Sequence, residues 1–413
     1  MKMRYTLLVV LIFFLISTGC VSPLQGVPNN QTTSPTPPIT TPNIQPTTYP
    51  TTLPVTTIPI TTPVLTPTQN LESQGSLNKI YYYTLDGNQG FIPIEVFTGV
   101  NNYITSLGPI YSGDDYNAVV SNEIQLKYVM PMVNEINKSA KKPGDDARIA
   151  ISLVQHIKYD ANDLNEIEFN SSKTGQEYIG RYPYTILFQE WGGICGEKSF
   201  LLALLLKQLG YNVSLFQFDF GPQYLGHMAV GIQAPVQYSY ENTGYALIET
   251  TVPVIPTFDG YYLSDINEPM SSVSPDEIIQ ISDGRSFDSI GAEYADAQTE
   301  QSIYNAWDIV EVAANNLDNT TQQLDTLQDS VNTWKSQAES DYSYGNMSGY
   351  QNDLQMYNQA YTEYQNYYQT VYYPSYTNWS NINNNFQNVY MPKETALEDK
   401  YGMNRGINVG LAV

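Results

Sequence analysis

Cys195 lies in the stretch Trp191-Gly192-Gly193-Ile194-Cys195-Gly196-Glu197-Lys198-Ser199, directly ahead of the apolar run Phe200-Leu201-Leu202-Ala203-Leu204-Leu205-Leu206. A run that is apolar on nearly every face predicts a buried helix, closed by Gly210 as its C-terminal cap. Cys195 then falls in the first turn. There the unpaired N–H groups and the positive end of the helix dipole favour thiolate over thiol, which prepares a nucleophile. Glycines on both sides of it let the backbone turn tightly and approach a ligand. The only other cysteine, Cys20, ends an apolar leader and is explained by export. The competing reading of Cys195 is an inert, buried free cysteine.

A nucleophile needs a base, and the chain has two histidines, His156 and His227. His156 falls on a predicted helix with no cysteine or acid tied to it, and it reads as a packing or surface histidine. His227 is better placed. Asn212–Phe220 reads as a strand, and His227-Met228-Ala229-Val230-Gly231-Ile232 alternates so that Met228, Val230 and Ile232 face a core. His227, Ala229 and Gly231 face the other way, where small residues leave room for a substrate or a helix end. A third strand, Gly244–Thr251, carries Glu249. With an antiparallel hairpin centred near Tyr238, His227 and Glu249 are direct cross-strand neighbours. Glu249 then orients the imidazole and stabilises the imidazolium that forms when Cys195 gives up its proton.

Gly193-Ile194-Cys195-Gly196-Glu197, the Leu-rich helix closing with Leu209-Gly210-Tyr211, the strand-initial His227 and the later acidic Glu249 resemble the transglutaminase-like superfamily of papain-like cysteine enzymes. The resemblance covers about residues 147–252. It implies an α+β papain-like domain, a helix packed on an antiparallel sheet, and acyl transfer at an amide by Cys195, His227 and Glu249. The family more often has Asp at the third position, so Glu249 departs from its pattern. Gln189 stands six residues before Cys195, the spacing at which papain-like enzymes carry an oxyanion-hole glutamine.

The elements around this stretch define the organisation of the chain. Residues 1–20 carry Lys2 and Arg4, an apolar run from Leu7 to Ile16, and Ser17-Thr18-Gly19-Cys20. That is a signal peptide with a lipobox-like end, although Ser17 stands where such boxes prefer an aliphatic residue, and Cys20 becomes the lipidated N-terminus. Residues 21–76 form a Thr/Pro-rich tether of extended, semi-rigid character. Asn-x-Ser/Thr acceptors at Asn30, Asn137, Asn170, Asn212, Asn319, Asn346 and Asn378 fit an exported chain. Together these features predict a lipid-anchored protein on the outer face of the cell membrane.

The catalytic domain is expected over residues 77–287. It opens with a hairpin signal between Lys79 and Phe97, followed by helices near 118–136 and 146–159, the second with Asp145 as its N-cap. Short strands over 253–287 close it. Residues 288–413 change character. Ile303, Val310, Leu317, Leu324 and Val331 repeat every seven residues, with Ala306, Ala313, Thr320, Leu327 and Trp334 three after each. After a break at Tyr344–Gly349, a second seam is expected at Leu354, Tyr361 and Tyr368 with Tyr357, Tyr364 and Val371. The whole predicts an antiparallel helical hairpin that packs on the domain, projects as a spacer, or self-associates.

The formal net charge is −23, while only 14% of residues are charged. Nucleic acid is therefore an unsuitable partner. No phosphate-binding Gly-rich loop or metal-ligand cluster is present in the sequence, and no cofactor is implied. Two classes of function remain. One is a cysteine peptidase, amidase or acyltransferase with a peptide or protein substrate. The other is a surface binding or adhesion module that keeps the fold after its catalysis has lapsed.

Overall fold

The computed structural model describes residues 70–160, 177–189, 192–220, 226–263 and 268–403. The leader with Cys20, the tether as far as residue 69, Trp191 and the acceptors Asn30 and Asn170 lie outside the described residues, and the expected tether ends sooner than residue 76, because Leu71–Gln74 forms a 3₁₀ turn and Ser76 opens the first strand. All described residues belong to one compact unit, Pro67–Val413, and the architecture is α+β with a helical C-terminal region.

The hairpin expected at the start of the domain forms from β1 (Ser76–Leu85) and β2 (Asn88–Phe97). Its two-residue turn, Asp86-Gly87, has φ of 48° and 77°. Positive φ at both positions is the primed turn that matches the twist of paired strands. Helices α1 (Thr98–Thr105) and α2 (Tyr116–Val120) follow, with the two-residue strand β3 (Ile110–Tyr111) between them. The helix expected over 118–136 is two helices. Asn122 interrupts it and caps α3 (Glu123–Ser139), its side chain accepting from Ile124 N and Gln125 N. Helix α4 (Asp145–Gln155) is capped by Gly144 at φ 86° rather than by Asp145. Asp145 instead accepts from the backbone N–H groups of Lys141 and Lys142. The helix stops at Gln155, short of Tyr159, because Tyr159 bridges Gly193 in extended conformation.

Strand β4 (Tyr178–Gly180) and helix α5 (Pro183–Phe188) lead to α6 (Cys195–Gln208). Phe200 through Leu206 are fully buried, so each leucine among them contributes about 2 kcal/mol of burial. Gly210, at φ 86°, ends the helix as expected. Beside α6 stands a four-stranded antiparallel sheet of β5 (Val213–Phe218), β6 (His227–Gln233), β7 (Tyr245–Ile248) and, beyond the short pair β8 (Tyr262–Leu263) and β9 (Glu268–Pro269), β10 (Glu277–Ser282). The order is β10-β5-β6-β7. Met228, Val230 and Ile232 join the main core with the α6 leucines. Ala229 faces a second cluster with Phe216, Phe218, Tyr240, Leu247 and Met270. The space expected beside Ala229 and Gly231 is filled. A Cβ on Gly231 would stand 3.0 Å from the Phe216 ring and 3.1 Å from Tyr245 Cβ.

The C-terminal region is a helical hairpin. Its first arm is α7 (Gly291–Ser343), about 80 Å long at 1.5 Å per residue. Ile303, Val310, Leu317, Leu324 and Val331 are buried along it, as the heptads predict. The turn at Gly345, φ 74°, leads into α8 (Met347–Tyr367), α9 (Tyr373–Asn385) and α10 (Met391–Tyr401). The second seam differs from expectation, with Leu354, Tyr361 and Val371 exposed while Asp353, Ala360 and Tyr372 are buried. Two π-helical turns, Tyr368–Tyr372 and Phe386–Tyr390, interrupt this arm. Each inserts a residue and rotates the inward stripe beyond it out of a strict seven-residue repeat, whereas the departures at Leu354 and Tyr361 precede both turns. At its base the hairpin packs on the sheet domain. Arg148 pairs with buried Glu293, and Ile255 and Phe258 share a cluster with Ala297, Ile303, Phe386 and Leu397.

Candidate active site

Cys195 is the first residue of α6 and is half-buried. The helix end is fixed from within. Ile194 has no side-chain acceptor, but its N–H donates to Glu197 Oε2 at 3.1 Å, the acid half of a capping box. Glu197 is fully buried and also accepts from Arg181 N at 2.9 Å, Nε at 2.5 Å and Nη2 at 2.8 Å. The neighbouring glycines approach protein rather than ligand. A Cβ on Gly192 would stand 1.9 Å from Lys158 O, and one on Gly196 2.3 Å from Ile179 O. Gly193 donates to Lys158 O at 3.1 Å and accepts from Asp160 N at 3.3 Å. Glycine is required at these positions so that two backbones can lie in contact just ahead of the thiol.

His227 is the first residue of β6, and its Nε2 lies 2.8 Å from Glu249 Oε2. The Cys195 side chain acts on the same imidazole, raising its pKa. Cys195, His227 and Glu249 are thus brought together in the order the sequence suggested, but by a different register. Val230 pairs with Ile248 and Gly231 with Leu247. Continued one residue past β7, that ladder sets Ala229 across from Glu249 and makes His227 its diagonal neighbour. Diagonal positions are about 7–8 Å apart, within reach of long side chains. The glutamate spans the diagonal where an aspartate would fall short.

Glu249 is buried, and all its lone-pair directions are used. Oε1 accepts from Thr250 N at 2.8 Å and Thr251 N at 2.6 Å, and Oε2 accepts from Tyr261 Oη at 2.6 Å as well as from His227. Burial alone would raise its pKa. The His227 charge and these hydrogen bonds outweigh burial and hold it well below the usual carboxylate range. Burial likewise works against a charged His227, but the Glu249 carboxylate and the Cys195 side chain raise its pKa well above the usual imidazole value. Tyr261, raised by burial and by the Glu249 charge, stays a phenol and a donor. The arrangement is an ionised imidazolium–carboxylate pair in the site whose helix begins at Cys195.

Gln189 directly follows α5 and is half-buried, and its Oε1 accepts from Arg181 Nη1 at 2.6 Å. Arg181 therefore links the residue six before Cys195 to the residue two after it, and leaves the Gln189 amide N–H groups as the donors. His156 is not brought to the site. It caps α4, with Nδ1 2.7 Å from Ser152 O, and packs near Gly402. Sequence reasoning missed Arg181, Glu197, Lys198 and Tyr261. For Glu197 there was a signal, an acid three residues after the cap position. The others carry no periodicity or motif that separates them from surface residues.

Among the described residues, no group of three or more His, Cys, Asp or Glu side chains is placed to hold a metal ion, and no helix is long and apolar enough to cross a membrane. No family model, curated protein or solved structure matches the chain.

Proposed function

We propose that this chain is a cell-surface cysteine hydrolase or acyltransferase acting on amide bonds, built on a papain-like domain of the transglutaminase-like kind. The observation that carries the reading is a single imidazole with two partners. Glu249 lies at 2.8 Å on Nε2, and Cys195, at the first residue of a buried helix, raises the pKa of the same ring. That supports a nucleophile beside a base that its orienting acid holds.

In the reaction this supports, Cys195 Sγ attacks the carbonyl carbon of a peptide or protein amide. The new C–S bond forms as the C–N bond breaks, and His227 gives its proton to the departing nitrogen. Water opens the thioester, its proton returns to His227, and the acid is released. With a primary amine in place of water, the product is a new amide. Gln189, steadied by Arg181, is the side chain we assign to the developing oxyanion. Cys20 carries the lipid, and the Thr/Pro tether holds the domain away from the outer face of the membrane.

The test is turnover by the purified full chain of mixed peptides, with and without an added primary amine, read by mass spectrometry. Hydrolysed or amine-bearing products that vanish in Cys195→Ala are expected. No turnover, together with a Cys195 peptide that resists iodoacetamide at about pH 6, where an ordinary thiol is protonated, would replace this reading with that of a binding module.

A further inference from the structure

Lys198 is on α6, one turn beyond Cys195, and it is fully buried. A lysine is almost never fully buried unless its charge is compensated. Here its Nζ donates to Ile157 O at 2.6 Å, Thr251 O at 2.7 Å and Gln155 O at 3.4 Å. Three carbonyls match the three N–H bonds of an ammonium. They come from two segments that build the site. Gln155 and Ile157 lead into Lys158 and Tyr159, the backbone paired with Gly193 just ahead of Cys195. Thr251 lies two residues past Glu249, and its N–H holds Glu249 Oε1. Gln155 ties the same two segments a second time, its Nε2 donating to Glu249 O at 2.9 Å and Val254 O at 3.1 Å.

Charge points the same way. A thiolate, an imidazolium and a carboxylate sum to one negative charge in a water-poor site, which burial opposes. The Lys198 ammonium interacts favourably with the charges of both Glu249 and Cys195, and with it the four groups sum to zero. The titratable groups that act on it are Glu249 beyond β7 and Cys195 on its own helix.

We propose that Lys198 is a positioning residue of the site, resting on the Cys195–His227–Glu249 reading: its carbonyl-caged ammonium locks the backbone before Cys195 to the backbone after Glu249 and neutralises the ionised trio. Burial pushes the ammonium down to about 7, so it is charged at about pH 6, where the test is run.

The experiment follows iodoacetamide labelling of the Cys195 peptide in the full chain, from about pH 5 to about pH 9, for wild type, Lys198→Met and Lys198→Gln. The glutamine keeps donors for the carbonyls and drops the charge. Both variants are expected to label about tenfold more slowly than wild type at about pH 6, and to converge with it at alkaline pH, the signature of a displaced titration. A purely structural lysine would lower the denaturation midpoint and leave the pH profile of the folded protein in place, which overturns the proposal. So does failure of both variants to fold, since the lysine would then serve the fold as a whole. If wild type itself does not label at about pH 6, the Cys–His–Glu reading has failed, a result that no Lys198 variant produces.

Discussion

Shortening Glu249 to aspartate probes the diagonal geometry most directly. Losing one methylene draws the carboxylate back by about 1.5 Å, so the 2.8 Å contact with His227 Nε2 opens to about 4 Å, beyond hydrogen-bonding range. At an effective dielectric of about 20, the attraction between the two charges falls from about 6 to about 4 kcal/mol. A difference of about 2 kcal/mol is about thirtyfold in rate if that attraction is used in forming the thiolate. The assay is the second-order rate of Cys195 alkylation at about pH 6, with amide turnover measured in parallel on the same preparation. Glu249→Gln serves as the companion, since it keeps the length and removes the charge. An aspartate variant within threefold of wild type in both assays would refute the claim that the glutamate is needed to span the diagonal.

The pH dependence of stability follows from the same groups. Glu249, held below its ordinary 4.5, contributes fully above that value and loses its contribution as pH falls through the folded pKa, so Glu249→Gln should flatten the acid limb of a urea-midpoint curve. His227, raised above 6.5, contributes fully below that value and fades as pH rises through its folded pKa. Lys198, lowered from 10.5 to about 7, acts in the opposite sense because the unfolded chain binds its proton more tightly between those values; Lys198→Met should therefore steepen the alkaline decline. Arg181→Met leaves the Glu197 carboxylate buried without its cation and should cost about 3–5 kcal/mol by denaturant unfolding, far more than a surface pair. Excising Gln328–Tyr364 and joining the arms by a short Gly-rich turn should leave Cys195 labelling and the melting temperature nearly unchanged. Deleting everything from Gly291 onward should instead give insoluble protein, because Ile255 and Phe258 lose their cover and Arg148 loses Glu293.

The parts legible in the sequence were those with a period or a cap. The α6 leucines, Gly210, the alternation of β6 and the first seam of the hairpin each carry a repeating apolar pattern that packing enforces. The β6–β7 register was not legible because the connection is not a simple turn about Tyr238. It holds two 3₁₀ turns, Val236–Tyr238 and Tyr240–Asn242, with Glu241 and Asn242 at positive φ, and the pairing is displaced by two residues. His227 and Glu249 meet all the same because diagonal partners share a face. Lys198 and Glu197 stand beside each other as ordinary charges, and only the fold shows that both point inward. The tyrosine arm misled for a different reason. Leu354 and Tyr361 turn outward ahead of the first π turn, and tyrosine tolerates both seam and surface, so the sequence does not mark the phase of this arm.

The last helix closes the first hairpin. Gly87 N donates to Lys400 O at 3.1 Å, while Lys400 Nζ and Tyr401 Oη both reach Asp296 Oδ2, at 2.5 and 2.7 Å. The strands synthesised first are therefore completed by residues synthesised more than three hundred positions later. Contacts so distant in sequence form slowly, since the loop between them must be closed before they can hold. A chain emerging N-terminus first keeps this joint open until Met391–Tyr401 has been made.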